Sequence, residues 1–464
     1  MANKKDLVEA QTFSRRRLLT AFVSGAPGGR ELEPTKPLRA VVTGVALTGL
    51  LVVGSLVLGL LKPGLPNGWD HNSLIVTRDA GARYVALDGT LHPVLNTASA
   101  RLLIEGDYRV IQVDDDKIAS TPRGETRGIP GAPDDLPTPA ALIDSGWLAC
   151  TEPQGGLATV LTTGDLVETV RTELAEEEAA GEDPPGLLVE TGGDLYLVSD
   201  GLRHLVPRAD APAVLRAIGQ ETVVPWAVSG QWLNLFPEGA DLDPLTTPGA
   251  GQPLPASAPA PPGAVVGSVI SVTDTGARYV VDEAGDLAPL SPFALELYRI
   301  GSGVAVGADV EAQAAQIRAM ATADAPAGGA DWPTQVPARM PEDEVACAFL
   351  RTAPETGETP EVRLVAHPDV VMDVGRQVVQ VQPAAGALVH ASAGPGMTGP
   401  LLLVDQTGRA FPLPGAGDEL LARLGYSGDD VVDIPADWMS LFPTGPALTV
   451  EGAMQATQPV QAGG

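Results

Sequence analysis

The stretch WLNLFPEG, Trp232–Gly239, recurs 206 residues later in the chain as WMSLFPTG, Trp438–Gly445. Both copies contain a tryptophan, a Leu-Phe-Pro triplet and a final glycine in the same register, which chance rarely produces. Because recurrence at a fixed spacing is the signature of a repeated structural unit, the two copies predict that the chain builds one unit twice.

Four further pairs of segments share nearly the same spacing. They are DAGARYVALDGTLHPV (Asp79–Val94) with DTGARYVVDEAGDLAPL (Asp274–Leu290), DLPT at Asp135 with DWPT at Asp331, Cys150 with Cys347, and Leu188-Val189 with Leu388-Val389. The offset between partners grows steadily along the chain, from 195 residues for the first pair to 206 for the tryptophans. This growth indicates a tandem duplication in which the second copy gained small insertions.

Within each half the sequence alternates strands with tight turns. Four segments have a hairpin pattern, in which two apolar runs flank a short polar turn: SLIVTRDAGARYVAL, DLYLVSDGLRHLV, VISVTDTGARYVV and LLLVDQTGRAFPL. With 53 Gly, 43 Pro and 4% aromatic residues, the composition also favours short elements over long helices. The sequence therefore predicts a mainly β fold with short helices, of the α+β class, in which four β-hairpin repeat units pack radially or in two lobes.

A long apolar run occupies residues 40–61. This run, AVVTGVALTGLLVVGSLVLGLL, has no charge in 22 residues, and a helix of that length spans about 33 Å, enough to cross the hydrocarbon core. Residues 1–39 carry eight Lys/Arg against four Asp/Glu, so the positive-inside rule keeps them in the cytoplasm. A cleaved signal peptide is the alternative, but the basic leader is too long and KPGLPNG lacks a cleavage motif. We expect a single-pass membrane protein whose C-terminal part lies outside.

The domain boundaries follow from these patterns. We predict a basic arm at 1–39, a transmembrane helix at 40–61, a first exterior half at 62–245 with repeat units at 73–106 and 187–245, a Pro/Ala linker at 246–264, a second half at 265–450 with repeat units at 267–301 and 399–450, and a flexible tail at 451–464. The linker, TTPGAGQPLPASAPAPPGA, has the composition of an extended spacer.

The formal net charge of −29 excludes one class of partner. Nucleic acid binds basic surfaces, whereas the residues after Lys62 carry a net charge of −34 and would repel a phosphate backbone. The acidic exterior could serve a cationic partner, or it could only keep an exposed domain soluble.

Two cysteines, Cys150 and Cys347, occupy matching positions in the two halves. In an oxidising compartment an even number of cysteines favours a disulfide, and two free buried thiols are the alternative. Corresponding atoms of two copies can meet only near a twofold axis, so a bond between these cysteines would join the halves near a pseudo-twofold axis. Closing a loop of this length would stabilise the fold by roughly 5 kcal/mol on the chain-entropy model.

The sequence contains no recognisable catalytic site. A P-loop requires Gly followed by Lys, and the chain has no Gly-Lys pair, while GPGMTG at Gly394–Gly399 precedes a strand and is interpreted as a loop. The histidines are scattered, and neither H-E-x-x-H nor G-x-S-x-G occurs. They are His71, His92, His204, His367 and His390. We therefore predict no catalytic residue, no cofactor and no metal.

The repeated aromatic residues have two interpretations. An exposed aromatic could anchor a ligand or a partner. A repeated unit must rebuild its core, however, so we expect each Trp–Phe pair to fill the core of its own half, and loss of the disulfide to loosen the halves before either unfolds. The pairs are Trp232 with Phe236 and Trp438 with Phe442.

Three consecutive arginines, Arg15, Arg16 and Arg17, lie in the basic arm. They could hold anionic lipid, at about 1 kcal/mol for each residue near the surface. They could also contact partner subunits, and the sequence leaves both interpretations open.

Taken together, these segments resemble the EccB component of the type VII (ESX) secretion systems of actinobacteria. The resemblance rests on RRRLLTAFVSG before a single membrane anchor, on GARYVALDGTLHPVLNTASARLL, on the paired cysteines and on the LFP-x-G repeats. It implies a structural subunit of an inner-membrane secretion complex, assembled with EccC, EccD and EccE components through a cytoplasmic N-terminal helix. It also implies an elongated, pseudo-twofold exterior domain in which four repeat units surround a central β-rich part, cross-linked by the disulfide.

Other classes of function stay open on the sequence. The family is sometimes labelled an ATPase, so an enzyme, either an ATP hydrolase or a cell-wall hydrolase, is one alternative despite the missing P-loop. An envelope module that binds peptidoglycan through its exterior lobes is another. In the structural interpretation the exterior domains pack against copies of themselves.

Overall fold

The structure of the chain is a computed structural model, which describes residues 3–24, 37–60, 65–106, 108–181, 185–341, 344–353, 358–367, 376–394, 397 and 399–457. The chain divides into two compact parts, the N-terminal segment Met1–Pro66 and the C-terminal domain Asn67–Gly464. The predicted α+β class is confirmed, because the described part of the C-terminal domain combines several β-sheets with short helices.

The described residues of the N-terminal segment form two helices, α1 (Lys4–Ser24) and α2 (Pro37–Leu60). The window Leu38–Ser55 of α2 has a mean hydropathy of 1.8 and is long and apolar enough to cross a membrane. The hydroxyls of Thr43 and Thr48 each donate to the backbone carbonyl four residues earlier. Their polar groups are thus satisfied inside the helix, as a hydrocarbon environment requires.

The C-terminal domain repeats one arrangement of strands. The first repeat unit contains β1 (Ser73–Thr77), β2 (Arg83–Leu87), β3 (Thr90–Pro93), α3 (Thr97–Leu103) and β4 (Arg109–Val113), and it is followed by β5 (Trp147–Thr151), β6 (Leu157–Leu161) and α4 (Asp165–Ala180). The second contains β7 (Pro185–Thr191), β8 (Asp194–Ser199), β9 (Leu202–Val206), α5 (Ala211–Ala217), β10 (Trp226–Ala227) and α6 (Gly230–Leu233).

The second half of the chain follows the same order. The third repeat unit contains β11 (Val269–Val272), β12 (Arg278–Val281), β13 (Leu287–Pro289), α7 (Pro292–Ile300), α8 (Gly303–Val306), β14 (Val310–Ala312) and α9 (Ala314–Ile317). It is followed by β15 (Ala338–Arg339), β16 (Val345–Ala353), β17 (Glu358–His367) and β18 (Gln377–Val381). The fourth repeat unit contains β19 (Ala387–Ser392), β20 (Leu401–Val404), β21 (Ala410–Pro412), α10 (Asp418–Leu424), β22 (Val432–Pro435) and the terminal α11 (Val450–Met454).

Every repeat unit contributes four strands with the same topology to a sheet, and β15 adds a fifth strand to the sheet of the second unit by pairing with β7. The strand orders are β3-β2-β1-β4, β9-β8-β7-β10, β13-β12-β11-β14 and β21-β20-β19-β22. In each sheet three strands form an antiparallel meander and the fourth lies parallel to the first. A helix lies between the third and fourth strands, because a parallel pair needs a crossover connection.

The four predicted hairpins lie inside these sheets, but the predicted limits of three units are too narrow. The first unit runs to Val113 instead of 106, the third runs to Ile317 instead of 301, and the fourth begins at Ala387 instead of 399. In the first and third units the omitted strand is the one that pairs in parallel after the helix. No local turn marks such a strand, so a hairpin pattern does not reveal it.

The glycine of LFP-x-G has a packing role. In the second repeat unit the N–H of Arg203 donates to the carbonyl of Pro237, and the N–H of Gly239 donates to the carbonyl of Arg203, both at 2.9 Å. These bonds hold the LFP-x-G segment alongside β9, with Gly239 against the imidazole ring of His204. A Cβ at position 239 would overlap the ring, so the close approach requires glycine.

The same contact between a ring and a glycine recurs in two other repeat units. The pairs are His92 with Gly124 and Phe411 with Gly445. In the third unit the ring position is occupied by Ala288 and the glycine position by Ala323, whose N–H keeps the corresponding backbone hydrogen bond at 2.9 Å. The third unit thus lacks both the aromatic ring and the glycine. The residue at the ring position and the residue at the glycine position therefore change together among the four units.

The repeat units pack in pairs that cross between the two halves of the sequence. The first and fourth units share one buried cluster, which contains Leu74 and Leu403. The second and third units share another, which contains Val206 and Phe293. We call these pairs the first lobe and the second lobe. The predicted halves are therefore not separate packing bodies, since each lobe takes one unit from each half.

Two arginines fix the units of the first lobe against each other. Arg101 of α3 donates to the carbonyl of Leu424, and Arg423 of α10 donates to the carbonyl of Leu102, both at 3.0 Å. Each guanidinium group caps the C-terminal end of the other helix, where carbonyls lack partners and the helix dipole favours a cation. The capping is reciprocal, so it fixes the position of both helices.

The predicted linker at 246–264 is folded rather than extended. The N–H of Gly251 donates to the carbonyl of Val266 at 2.9 Å, which turns the segment back along the start of the third repeat unit. Leu254 and Ala260 then pack against the buried cluster of that unit. The apolar side chains of the segment gain from burial, and this gain outweighs a composition typical of spacers.

The predicted flexible tail at 451–464 is also folded in its first part. Val450–Met454 form α11, and Nη1 of Arg127 donates to the carbonyl of Met454 at 2.5 Å. Ala453 is fully buried in the first lobe. The end of the second half therefore closes on the first repeat unit, and residues 458–464 lie outside the described residues.

We predict that Gly239→Ala destabilises the domain, because the added Cβ would overlap the His204 ring and overpacking of this kind costs about 1–3 kcal/mol. The matched control is Gly230→Ala at the start of α6, where nothing lies within 4 Å of an added Cβ. Thermal unfolding followed by circular dichroism measures the effect, and equal midpoints for the two variants would contradict the role of the glycine. The double variant Gly239→Ala with His204→Ala copies the pair Ala288 and Ala323. Its loss of stability should be smaller than the sum of the losses in the two single variants.

Candidate functional site

The two halves of the chain meet in a central sheet with the strand order β17-β16-β5-β6-β18. The first half supplies β5 and β6, and the second half supplies the other three strands. At the boundary Trp147–Thr151 run antiparallel to Ala346–Leu350. This register places Cys150 directly opposite Cys347, and both residues are fully buried.

Cys150 and Cys347 form a disulfide, with the sulfur atoms 2.06 Å apart. Since the same residue of each half lies at the same point, a local twofold axis passes between them. The relation extends beyond the bond, because Arg339 of the second half pairs with Gly186 in the same parallel sense as Leu142 of the first half pairs with Gly386. This is the position that the duplication predicts for the bond.

One face of the central sheet carries the repeated Trp and Phe side chains. Trp147 of β5 packs edge-on against Trp438 and Phe442, with ring centroids 6.2 and 5.7 Å apart. Trp232 packs against Phe236 at 5.1 Å, and its indole N–H donates to a backbone carbonyl of β5 at 2.8 Å. All five side chains are buried in a single cluster.

The prediction that each half keeps a Trp–Phe core of its own is therefore wrong. Gln231, beside Trp232, donates a hydrogen bond of 3.0 Å to the carbonyl of Ser440, near Trp438. The two Trp–Phe segments therefore lie side by side. Both Trp–Phe segments pack against the same face of the central sheet, so their side chains form one core. Trp147 at the centre was not identified from the sequence, although a tryptophan three residues before a matched cysteine was an available signal.

The other face of the central sheet covers the disulfide. There Cys150 and Cys347 pack with Leu148 and Phe349 of β5 and β16 and with Val167 and Val170 of α4, all of them buried. Thiol–disulfide exchange needs access of an attacking thiolate to sulfur. The packing against α4 therefore protects the bond from exchange in the folded chain.

The histidines do not converge on a site. His92 and His204 pack against the glycines described above, and Nδ1 of His390 lies 3.4 Å from Oδ1 of Asp433. His71 is exposed, and the side chain of His367 lies outside the described residues. Within the described ranges no group of three or more His, Cys, Asp or Glu side chains could hold a metal ion.

One carboxyl group has a perturbed environment. Partial burial raises the pKa of Asp243 above the usual range, and the negative charge of Asp210 raises it further. A raised carboxyl pKa is one mark of a general acid. The neighbouring charged groups that act on it are two carboxylates, Asp210 and Asp241, whose like charge disfavours its ionised form. Burial and repulsion thus account for the shift.

The three consecutive arginines lie exposed on α1. Successive residues of a helix are about 100° apart, so three of them span roughly 200° and cannot all face one bilayer surface. The following turn exposes Leu18 and Phe22, at 72% and 91% of their surface. A helix that presents cations and large apolar side chains together is typical of a segment that binds a membrane or a partner.

The chain matches a known family over almost its whole length. The family model described as type VII secretion system ESX-1, transport TM domain B, matches residues 2–462. The chain is 28% identical over 459 residues to the ESX-3 secretion system ATPase EccB3 of Mycobacterium tuberculosis strain H37Rv, covering 90% of this chain and 83% of the relative. It is also 28% identical over 421 residues to the ESX-2 secretion system ATPase EccB2 of the same strain, covering 84% and 82%.

Solved structures share the fold. A chain in the structure of the EccB3 dimer from the ESX-3 core complex superposes with a TM-score of 0.66 at 23% identity, covering 83% of this chain and 100% of that one. A chain in the structure of an intact ESX-5 inner membrane complex gives a TM-score of 0.65 at 22% identity, covering 100% and 97%. At these identities the likeness shows the fold.

Removing the disulfide by Cys150→Ala with Cys347→Ala should lower the free energy of unfolding by about 2–5 kcal/mol, because the unfolded chain regains the freedom of a loop of 197 residues. Since the core and both lobes are shared between the halves, we expect the domain still to unfold in one transition. Differential scanning calorimetry of both proteins measures midpoint and cooperativity. Two separated transitions in the variant would contradict the shared core.

A second measurement checks the bond itself. Mass spectrometry of peptides from the unreduced protein should find one linked pair, which contains Cys150 and Cys347. Free thiols at both positions, or a dimer linked through them, would contradict the pairing. Reduction of the unmodified protein under mild denaturation should reproduce the midpoint of the double variant, which serves as the control for side effects of the substitutions.

Proposed function

The chain belongs to the EccB family of type VII secretion proteins, and we propose that it is a structural subunit of an ESX-type secretion complex in the inner membrane. The observation that carries the proposal is the family match over residues 2–462, which includes both the membrane helix and the duplicated domain. Relatives of the same fold were solved as parts of an ESX-5 inner membrane complex and of an ESX-3 core complex.

In the proposed arrangement α2 crosses the membrane once, with α1 in the cytoplasm and the C-terminal domain on the other side. The excess of Lys and Arg before α2 supports this orientation through the positive-inside rule. The disulfide supports it independently, because such bonds persist in oxidising compartments outside the cytoplasm.

The proposed partners are subunits of the EccC, EccD and EccE type, contacted by α1, and further copies of this chain, contacted by the C-terminal domain. The spread of Arg15–Arg17 around α1 supports a protein partner, since a flat bilayer cannot receive all three guanidinium groups. Self-association is supported by the relative that was solved as a dimer.

We further propose that the chain is not an enzyme, although the names of its relatives include the word ATPase. Nucleotide hydrolysis of the P-loop type needs a Lys that reaches the terminal phosphates, and no Gly-Lys pair exists in the sequence. The described residues contain no cluster of three or more His, Cys, Asp or Glu side chains of the kind that holds a catalytic Zn²⁺. The rival functions are an ATP hydrolase, a cell-wall hydrolase and a peptidoglycan-binding module.

Changing Arg15, Arg16 and Arg17 together to Gln should reduce the amounts of partner subunits that copurify with the full-length chain in mild detergent. The matched control changes the same residues to Lys, which keeps the charge for lipid and topology but removes the planar guanidinium groups. Both variants should still insert with the N-terminus inside, as protease protection can check. Unchanged copurification of the Gln variant with correct insertion would exclude the proposed partner contact.

The purified full-length chain should release no phosphate from ATP above the background rate. Asp243→Asn, which removes the carboxyl group with the raised pKa, and Asp241→Asn as its control should leave that background unchanged. Turnover abolished by the first change and kept by the second would overturn the structural proposal in favour of an enzyme. Specific sedimentation of the chain with insoluble cell wall would instead favour the peptidoglycan-binding module.

A further inference from the structure

The first 64 residues of the C-terminal domain, which include the first repeat unit, differ in charge from the remainder of the domain. Residues 67–130 carry seven Lys/Arg against nine Asp/Glu, a net charge of −2, whereas residues 131–464 carry 13 against 45, a net charge of −32. The acidity of the domain is therefore concentrated outside the unit that directly follows the membrane helix in the chain.

Covalent connection limits where this unit can begin. α2 ends at Leu60, and Trp69 follows nine residues later. A fully extended chain of nine residues spans at most about 30–32 Å. The Cα of Trp69 therefore stays within that distance of the Cα of Leu60 at the end of α2.

The turn before β1 and the start of β4 lie together at the edge where the chain enters the sheet. Gly68 and Trp69 belong to the turn before β1, and Arg109 at the start of β4 is the register partner of Ser73 at the start of β1. A Cβ on Gly68 would lie 3.7 Å from the guanidinium group of Arg109, so this group lies against the turn. Arg109 and Val110 are exposed, Val110 to 48%, and Trp69 is partly exposed.

The arginine at this edge differs from its neighbours in the same repeat unit. Arg78 forms an ion pair with Asp114 at 3.2 Å, and Arg83 forms one with Asp134. Within the described ranges Arg109 has no such carboxylate partner. Among the described side chains no carboxylate therefore competes with an external anion for this guanidinium group.

We propose that this edge, formed by Trp69, Arg109 and Val110, rests on the phospholipid headgroups of the leaflet from which α2 emerges. Tryptophan favours the level of the headgroups, and a guanidinium group pairs well with phosphate. An anionic leaflet repels the remaining acidic surface but not the nearly neutral first repeat unit. The contact therefore turns the first repeat unit toward the bilayer. The inference rests on the membrane-spanning role proposed for α2.

The test uses the full-length chain in nanodiscs that contain anionic phospholipid and a phospholipid with a nitroxide on its headgroup. A bimane fluorophore is attached to Val110→Cys without reduction, so that the buried native disulfide stays closed. Val304→Cys in α8 of the third repeat unit is the matched control, because Val304 is exposed to 78%. We expect a loss of fluorescence by nitroxide quenching at position 110 and little loss at position 304, and equal quenching at both positions would overturn the proposal.

A second pair of variants tests the role of the guanidinium group. Arg109→Gln in the Val110→Cys background should reduce the quenching, and Arg78→Gln, at the opposite end of β1, should not. Equal quenching in the two variants would remove Arg109 from the contact and overturn that part of the proposal. Failure of the unmodified chain to enter nanodiscs would instead overturn the membrane-spanning role of α2, an outcome distinct from failure of the edge contact.

Discussion

The antiparallel pairing of β5 with β16 is the constraint on which the rest of the C-terminal domain depends. It joins the two copies of the duplicated unit backbone to backbone, and the bond between Cys150 and Cys347 lies at its centre. β5 is buried along its whole length, by the tryptophan cluster on one face and by α4 on the other. Separating the halves would therefore break the ladder, the covalent bond and two packed faces together.

The crossed lobes extend this dependence to the periphery. Each lobe combines repeat units from different halves, and in the first lobe Arg101 bonds to a carbonyl that lies 323 residues away in the chain. Contacts of such separation form only after a large loop is closed, which costs entropy before any packing is gained. We therefore expect the lobes to form late in folding, after the local hairpins, and the disulfide to limit which pairings remain possible.

The proposed structural role is compatible with this construction. Of the described residues that sequence patterns marked as possible chemistry, His92 and His204 are used in packing, and Asp243 is repelled by neighbouring carboxylates. The residues shared by WLNLFPEG and WMSLFPTG also have packing roles. Their Trp and Phe side chains lie in the shared core, and their final glycine lies against an aromatic ring. A domain whose halves are joined by the central strand pairing and by two crossed lobes is suited to holding other subunits at set positions.

The sequence by itself determined the long apolar helix α2, the four hairpins, the duplication and the pairing of Cys150 with Cys347. These depend on local periodicity, on turn residues, or on the comparison of one stretch of the chain with another. Only the tertiary structure decided that the repeat units cross between halves, that the Trp–Phe pairs share one core, and that the segments at 246–264 and 451–457 fold onto repeat units. It also revealed the match between His204 and Gly239, and the reciprocal capping by Arg101 and Arg423. The reason is physical: these contacts join surfaces that are distant in the chain, and their complementarity in shape and charge leaves no periodic signal in either surface alone.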